Sequence, residues 1–334
     1  MEHLPKLSII VPAYNVERFL DKCLASICEQ TYRDFEVLLL NDGSSDATPQ
    51  ICEAWAAKES RIRYFSAPNR GVGAIRNFAL KEALASMVMF VDSDDYIEPD
   101  MVEVLMRRKE ETGAEISLGG YIDEMDDGSR TWLDPQLPSC VISGKRAFKE
   151  VLKDLRLRSF NCMKIFDKSL FVDYPYPEDR VLEDFDIMPM IYLHAKRMVV
   201  TDKIFYHYVQ HTDSILNSLE QKLQVDTQYC LGLEKRYQRV REVAILSPRE
   251  KEFYRIYFLR QVARKVREFQ LLVLKASSPE EREKWETGVV NQLAILERWY
   301  GTHWRRDGED LLQGMMRVLR RLKWQKIWAR FTCF

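Results

Sequence analysis

The chain has 334 residues, 46% hydrophobic and 30% charged, with 50 Lys and Arg against 51 Asp and Glu. Its length favours two structural units over one, and its composition is that of a folded rather than a disordered protein. The charge balance leaves no global field for nucleic acid, so no nucleic-acid partner is expected. The N-terminal "MEHLPKLSIIVPAYN" lacks the basic region and long apolar stretch of a signal peptide. No apolar run approaches the eighteen or so residues of a membrane span. Seven cysteines without close C-x-x-C pairs suit reduced thiols in a cytoplasmic protein better than disulfides or zinc.

In chain order, "LSIIV" (7–11) reads as a buried strand, and "ERFLDKCLASICEQ" places Phe19, Leu20, Cys23, Leu24 and Ile27 at helical spacing. "FEVLLL" (35–40) is a second strand. The helix after it has Asp46 in position to cap it, Pro49 in its first turn, and Ile51 and Trp55 on one face. "IRYFSA" and "MVMFV" are the next strands, with the helix "AIRNFALKEALA" between them. "MVEVLMRRKEETG" is a helix ending at Gly113, and "AEISLGGYI" a fifth strand. This alternation predicts an α/β fold with a mostly parallel sheet flanked by helices. "DEMDDGSRTWLDPQLPSC" (123–140) reads as a hairpin or loop, and 145–215 as mixed short elements. Beyond 216 the chain is nearly all helix. The expected domains are therefore 1–215, with halves at 1–120 and 121–215, and a helical region 216–334.

In parallel sheets ligands bind beyond the carboxyl ends of the strands. Residues 12–15, 41–45, 68–73 and 92–95 should therefore converge. The last of these belongs to "MVMFVDSDDYIEPD", where Asp92, Asp94 and Asp95 end an apolar run. Such acids raise one another's pKa unless a cation sits among them. Read alone, the run is either a solvated turn before a helix or a site for Mg²⁺ or Mn²⁺. There is no P-loop, and "GVGAIR" (71–76) carries Arg76 where a dinucleotide fingerprint needs its third glycine.

The four strings "PAYN", "NDGSSD", "NRGVGAIRN" and "VDSDD", in this order at these strand ends, resemble the family 2 glycosyltransferases of the GT-A fold. The resemblance covers residues 5–120 strongly and 121–215 more loosely. It implies an inverting, metal-dependent enzyme that moves a sugar from a nucleotide-diphosphate donor, a UDP-sugar. The implied acceptor is a glycan or lipid-linked glycan of surface polysaccharide synthesis. By the same resemblance Pro12 and Tyr14 line the uracil pocket, Glu17 lies near the nucleoside, and Asp42 accepts the uracil N3–H. Asp92 contacts the ribose or a metal-bound water, Asp94 holds the metal (Mn or Mg), and Arg76 helps neutralise the diphosphate. Each has a plainer reading, such as an Asx-turn at Asp42 or a surface ion pair at Arg76.

Inverting transfer needs a base for the acceptor hydroxyl. "YPEDRVLEDFDI" offers Glu178, Asp179, Glu183, Asp184 and Asp186. In the resembling family a Glu-Asp pair opens a helix here and its Asp is the base, which selects Asp184. His211 in "YHYVQHTDSI" occupies the slot where a basic residue meets the diphosphate. Residues 311–334 carry six Lys and Arg, no acid, and Trp324 and Trp328. That suits peripheral contact with the inner face of a membrane, docking on the catalytic domain, or a homodimer. Three other classes compete: a catalytically inactive membrane-associated binding protein, a metal-dependent nucleotidyltransferase, and a nicotinamide oxidoreductase. The second would show a Gly-rich basic loop near the N-terminus, and Arg76 counts against the third.

Overall fold

The computed structural model describes residues 4–125, 128–133, 137–211 and 219–300. The basic segment 311–334 lies outside the described residues. Two compact units divide the chain, residues 1–214 and 215–334.

The first unit opens with β1 (Leu7–Ala13), α1 (Leu20–Cys28), β2 (Phe35–Asp42), α2 (Thr48–Lys58), β3 (Ile62–Ala67), α3 (Val72–Glu82) and β4 (Met87–Phe90). A two-residue strand β5 (Tyr96–Ile97) precedes α4 (Met101–Thr112), which stops at Gly113 in the left-handed region, φ 60°. Then come β6 (Ile116–Met125), β7 (Arg130–Leu133), β8 (Cys140–Ser143), α5 (Gly144–Val151), β9 (Lys164–Asp167), α6 (Glu183–His194) and β10 (Arg197–Gln210). The sheet order is β3-β2-β1-β4-β9-β6-β10-β5, with β7 on β6 and β8 on β10.

Pairing is parallel through β3, β2, β1 and β4. Beyond β4 it turns mixed, because β9 inserts antiparallel between β4 and β6. Period-two side-chain alternation splits the buried residues between the two faces. Ile9, Val11, Val37, Leu39 and Met89 pack with Leu20, Leu24 and Ile27 of α1 and Leu105 of α4. Ile10, Leu38, Leu40, Val88 and Phe90 pack with Ile75 and Ala79 of α3 and Met188 and Ile191 of α6. Helices therefore cover both faces, and the functional loops are left at the strand ends. The 123–140 region contributes β7, which pairs antiparallel with β6 as a hairpin.

The second unit holds α7 (Leu219–Glu242), α8 (Pro248–Lys275) and α9 (Pro279–Tyr300). Ser247 and Glu250 form a reciprocal capping box at the start of α8. Val266, Phe269 and Val273 of α8 meet Trp285, Val289 and Leu293 of α9, and Lys265 pairs with Asp226 of α7 at 2.9 Å.

Candidate active site

Beyond β1 the chain reverses through Asn15, whose φ of 52° is left-handed. Asparagine tolerates this region better than most residues. Asn15 Oδ1 accepts from Ser45 N (2.8 Å), and Asn15 N donates to Ser44 Oγ (3.0 Å). Val16 N donates to Thr48 Oγ1 (2.9 Å), and Glu17 Oε2 accepts from Ala47 N (2.7 Å). The loops after β1 and β2 are thereby stitched together, with Pro12 half-buried and Tyr14 47% exposed at their mouth. Asp46 receives Thr48 N at 3.0 Å and Glu17 N at 3.2 Å, so it braces both the start of α2 and the neighbouring loop. Asp42 is buried, and its two carboxylate oxygens accept from Arg70 N (2.8 Å) and Gly71 N (2.9 Å). A Cβ on Gly43 would stand 2.6 Å from Asn69 N, at a φ of 74°. Only glycine lets the two loops approach so closely.

Asp92, one residue beyond Val91, is held from behind. Arg76 Nη2 donates to Asp92 Oδ1 at 2.9 Å, while Arg76 Nη1 bonds Glu183 at the start of α6. Arg76 and Glu183 are only 5% and 4% exposed. Arg76 is thus a buried clamp between two carboxylates. Its depth follows from Gly73 one turn earlier: a Cβ there would lie 2.2 Å from Pro177 O, so α3 tucks directly under that segment. Glu17 supports the 44–48 loop through its carboxylate.

Asp94 keeps 43% of its side chain exposed, yet its pKa is raised to about 6, by burial first and by Asp92 next. His211 Nε2 lies 4.0 Å from Asp94 Oδ2, and the buried imidazole stacks on Phe19 with centroids 3.7 Å apart. Asp95 is buried. Its oxygens accept from Tyr206 Oη (2.7 Å) and Val209 N (2.8 Å), and the same Tyr206 hydroxyl accepts from Asp92 N (3.1 Å). Burial, with Asp94 and Asp92 close by, pushes Asp95 well above the ordinary carboxylate range.

The five acids near α6 separate clearly. Glu178 meets Asn77 (3.0 Å), Asp179 and Asp186 meet Arg180 (2.9 and 3.0 Å), and Glu183 meets Arg76. Asp184 alone has no ion pair among the described residues. Its Oδ1 accepts from Phe185 N at 2.6 Å. Burial raises its pKa to about 6, with Arg76 pulling it down and Asp92 pushing it up. It therefore shares one electrostatic neighbourhood with the strand-end acids.

Among the described residues no group of three or more His, Cys, Asp or Glu is arranged to hold a metal. A Mg²⁺ or Mn²⁺ held through one or two carboxylates plus substrate phosphates does not require such a group. Asp94, half-exposed and with its ionised form disfavoured, fits that mode.

Sequence reasoning had placed Tyr14, Asp42, Asp92, Asp94 and Asp184 at the strand ends and the start of α6. It missed the bracing by Asn15, Thr48, Asp95 and Tyr206. The Asn that ends "PAYN", the Ser-Ser and Thr of "NDGSSDAT" after β2, and a Tyr in a late strand were the available signals.

A parallel half-sheet with acids at its carboxyl edge and a helix-opening acid beside them defines a GT-A glycosyltransferase fold. The sequence profile described as Glycosyl transferase family 2 matches residues 8–172. The chain is 32% identical over 241 residues to the uncharacterized glycosyltransferase EpsJ of Bacillus subtilis, covering 70% of this chain and 68% of the relative. It is 32% identical over 210 residues to the glycosyltransferase GlyA of Streptococcus pneumoniae, covering 61% of this chain. It spans only 30% of GlyA's length. The crystal structure of S. aureus TarS 1–349 in complex with UDP-GlcNAc superposes with a TM-score of 0.64 at 23% identity, covering 88% of this chain and 82% of that one. The chain belongs to glycosyl transferase family 2.

Proposed function

We propose that this protein transfers a sugar, with inversion, from a UDP-sugar to a glycan or lipid-linked acceptor in surface polysaccharide synthesis, using Mg²⁺ or Mn²⁺. One observation carries the reading: the buried Arg76 ties Asp92, beside the donor loops, to Glu183, beside the unpaired Asp184. The donor side and a base are thereby linked through one side chain. TarS, whose crystal structure is a complex with UDP-GlcNAc, shares the fold and supports a uridine nucleotide.

In this reading the exposed Tyr14 ring stacks on uracil beside Pro12. Asp42 uses the lone pairs left by Arg70 and Gly71 to accept the N3–H. Asp94, with Asp92 beside it, holds the cation, and His211 faces the diphosphate. When bound, the cation neutralises charge on the leaving diphosphate. Asp184 takes the acceptor hydroxyl's proton as that oxygen attacks the anomeric carbon and the bond to the diphosphate breaks. A carboxylate with a pKa near 6 is ionised at neutral pH and more basic than an ordinary one, as a general base requires. Asp95 and Tyr206 keep the 92–95 loop in shape.

Screening UDP-, GDP- and dTDP-sugars by thermal melt with Mn²⁺ present tests the donor. A ligand at about a hundred times its Kd stabilises by roughly 2.7 kcal/mol. The UDP-sugars should raise the midpoint and the others should not. A shift with GDP- or dTDP-sugars alone would refute the uridine assignment.

A further inference from the structure

Helix α8 carries a line of side chains that its core does not use. Phe253, Ile256, Leu271 and Leu274 are 51%, 37%, 50% and 56% exposed. Arg260, Arg264 and Arg267 fill the same line between the two apolar pairs, and Arg249 precedes it; all four are exposed. Successive members are three or four residues apart from 249 to 274. That spacing holds them on one face of a helix. At about 1.5 Å per residue the line runs on the order of 38 Å. The far side of α8, with Phe258, Val262, Val266, Phe269 and Val273, is buried.

No Asp or Glu occupies the line. Glu268 flanks it and meets Arg264 at 3.6 Å, while Arg260 and Arg267 have no ion pair among the described residues. The order apolar, cationic, apolar identifies the occupant. It reads the same from either end, so a second copy laid along it, parallel or antiparallel, would set arginines against arginines. An anionic bilayer supplies phosphate for the guanidinium groups and an acyl boundary for the Phe, Ile and Leu side chains.

We propose that the exposed line of α8 is a surface that lies on an anionic membrane, with Arg260, Arg264 and Arg267 on lipid phosphates and Phe253, Ile256, Leu271 and Leu274 at the headgroup–acyl boundary. The proposal is independent of the donor assignment and of segment 311–334.

Sedimentation of the whole chain with vesicles of phosphatidylcholine, alone or with phosphatidylglycerol, tests it. Binding should require the anionic lipid and weaken as salt rises. The triple change Arg260→Gln, Arg264→Gln, Arg267→Gln should weaken binding roughly a hundredfold, at about fivefold per basic residue. The corresponding Lys triple should retain most of it. The quadruple change Phe253→Ser, Ile256→Ser, Leu271→Ser, Leu274→Ser should also release the protein. Unaltered circular dichroism shows that each variant is folded. Vesicle binding unchanged in both the Gln and Ser variants would overturn the proposal, as would equal binding to neutral vesicles or none to anionic ones. A dimer that the Ser variant abolishes, without vesicle binding, would overturn it in favour of a contact between copies.

Discussion

Removing the guanidinium of Arg76 would leave Glu183 buried without a cation and Asp92 without its only ion pair among the described residues. Breaking a buried pair from one side costs about 3–5 kcal/mol, since the surviving charge keeps its desolvation penalty. Arg76→Met should therefore lower stability in urea titration by about that amount. Adding Glu183→Gln should restore part of it, because partners in one network are not additive. If the double variant is as weak as the sum of the single ones, the clamp carries no coupling. Asp184 makes a pH prediction. The folded chain holds its proton up to about pH 6, whereas the unfolded chain releases it near the ordinary aspartate value of 3.8. Between these values the folded state binds more protons, so this group's contribution makes stability fall as pH rises, then level off above about 6. Under the proposed mechanism the transfer rate rises over the same window as the carboxylate ionises. Asp184→Asn should remove both dependences and cut transfer about 10²–10⁴-fold. An acid limb of the rate profile that persists in a residually active Asp184→Asn protein would assign that limb to another group.

At the scale of elements, the close fit of α3 under Pro177 sets where Arg76 can reach. A Cβ at residue 73 would press on backbone rather than on a flexible side chain. Gly73→Ala should therefore cost about 1–3 kcal/mol, as overpacking does. Because Arg76 lies one turn further along, transfer should fall as well. An unchanged melting midpoint would show that the segment yields. Strand β10 acts in a comparable way on the 92–98 loop, through Tyr206 to Asp95 and through His207, which lies 3.0 Å from Glu124 and 2.9 Å from Glu98. The strands and helices of residues 7–113 were legible because apolar periodicity and Gly or Pro punctuation report them directly. The two-residue β5 is too short for a periodic signal. The antiparallel insertion of β9 depends on partners outside its own four residues. Arg76 is hard to place from sequence for the same reason. Its partner Glu183 stands 107 positions away, so a local string cannot show whether the guanidinium faces a ligand or a buried carboxylate.

For the whole molecule, the catalytic proposal rests on residues 1–214 and the membrane proposal on α8 of the second unit. No helix among the described residues is long and apolar enough to cross a membrane. Under the two proposals together, a surface contact through α8 would keep the chain near the proposed lipid-linked acceptor. The central claim is that the loops beyond β1, β2, β3 and β4 form a UDP-sugar site completed by a cation at Asp94. Calorimetric titration of UDP into the whole chain, with Mn²⁺ and then with chelator, tests it most directly. Affinity should fall at least about tenfold, or 1.4 kcal/mol, on chelation and again in Asp94→Asn, while Asp184→Asn binds nearly as the intact protein does. Equal affinity for UDP with and without metal, or loss of UDP binding in a folded Asp184→Asn protein, would contradict the account.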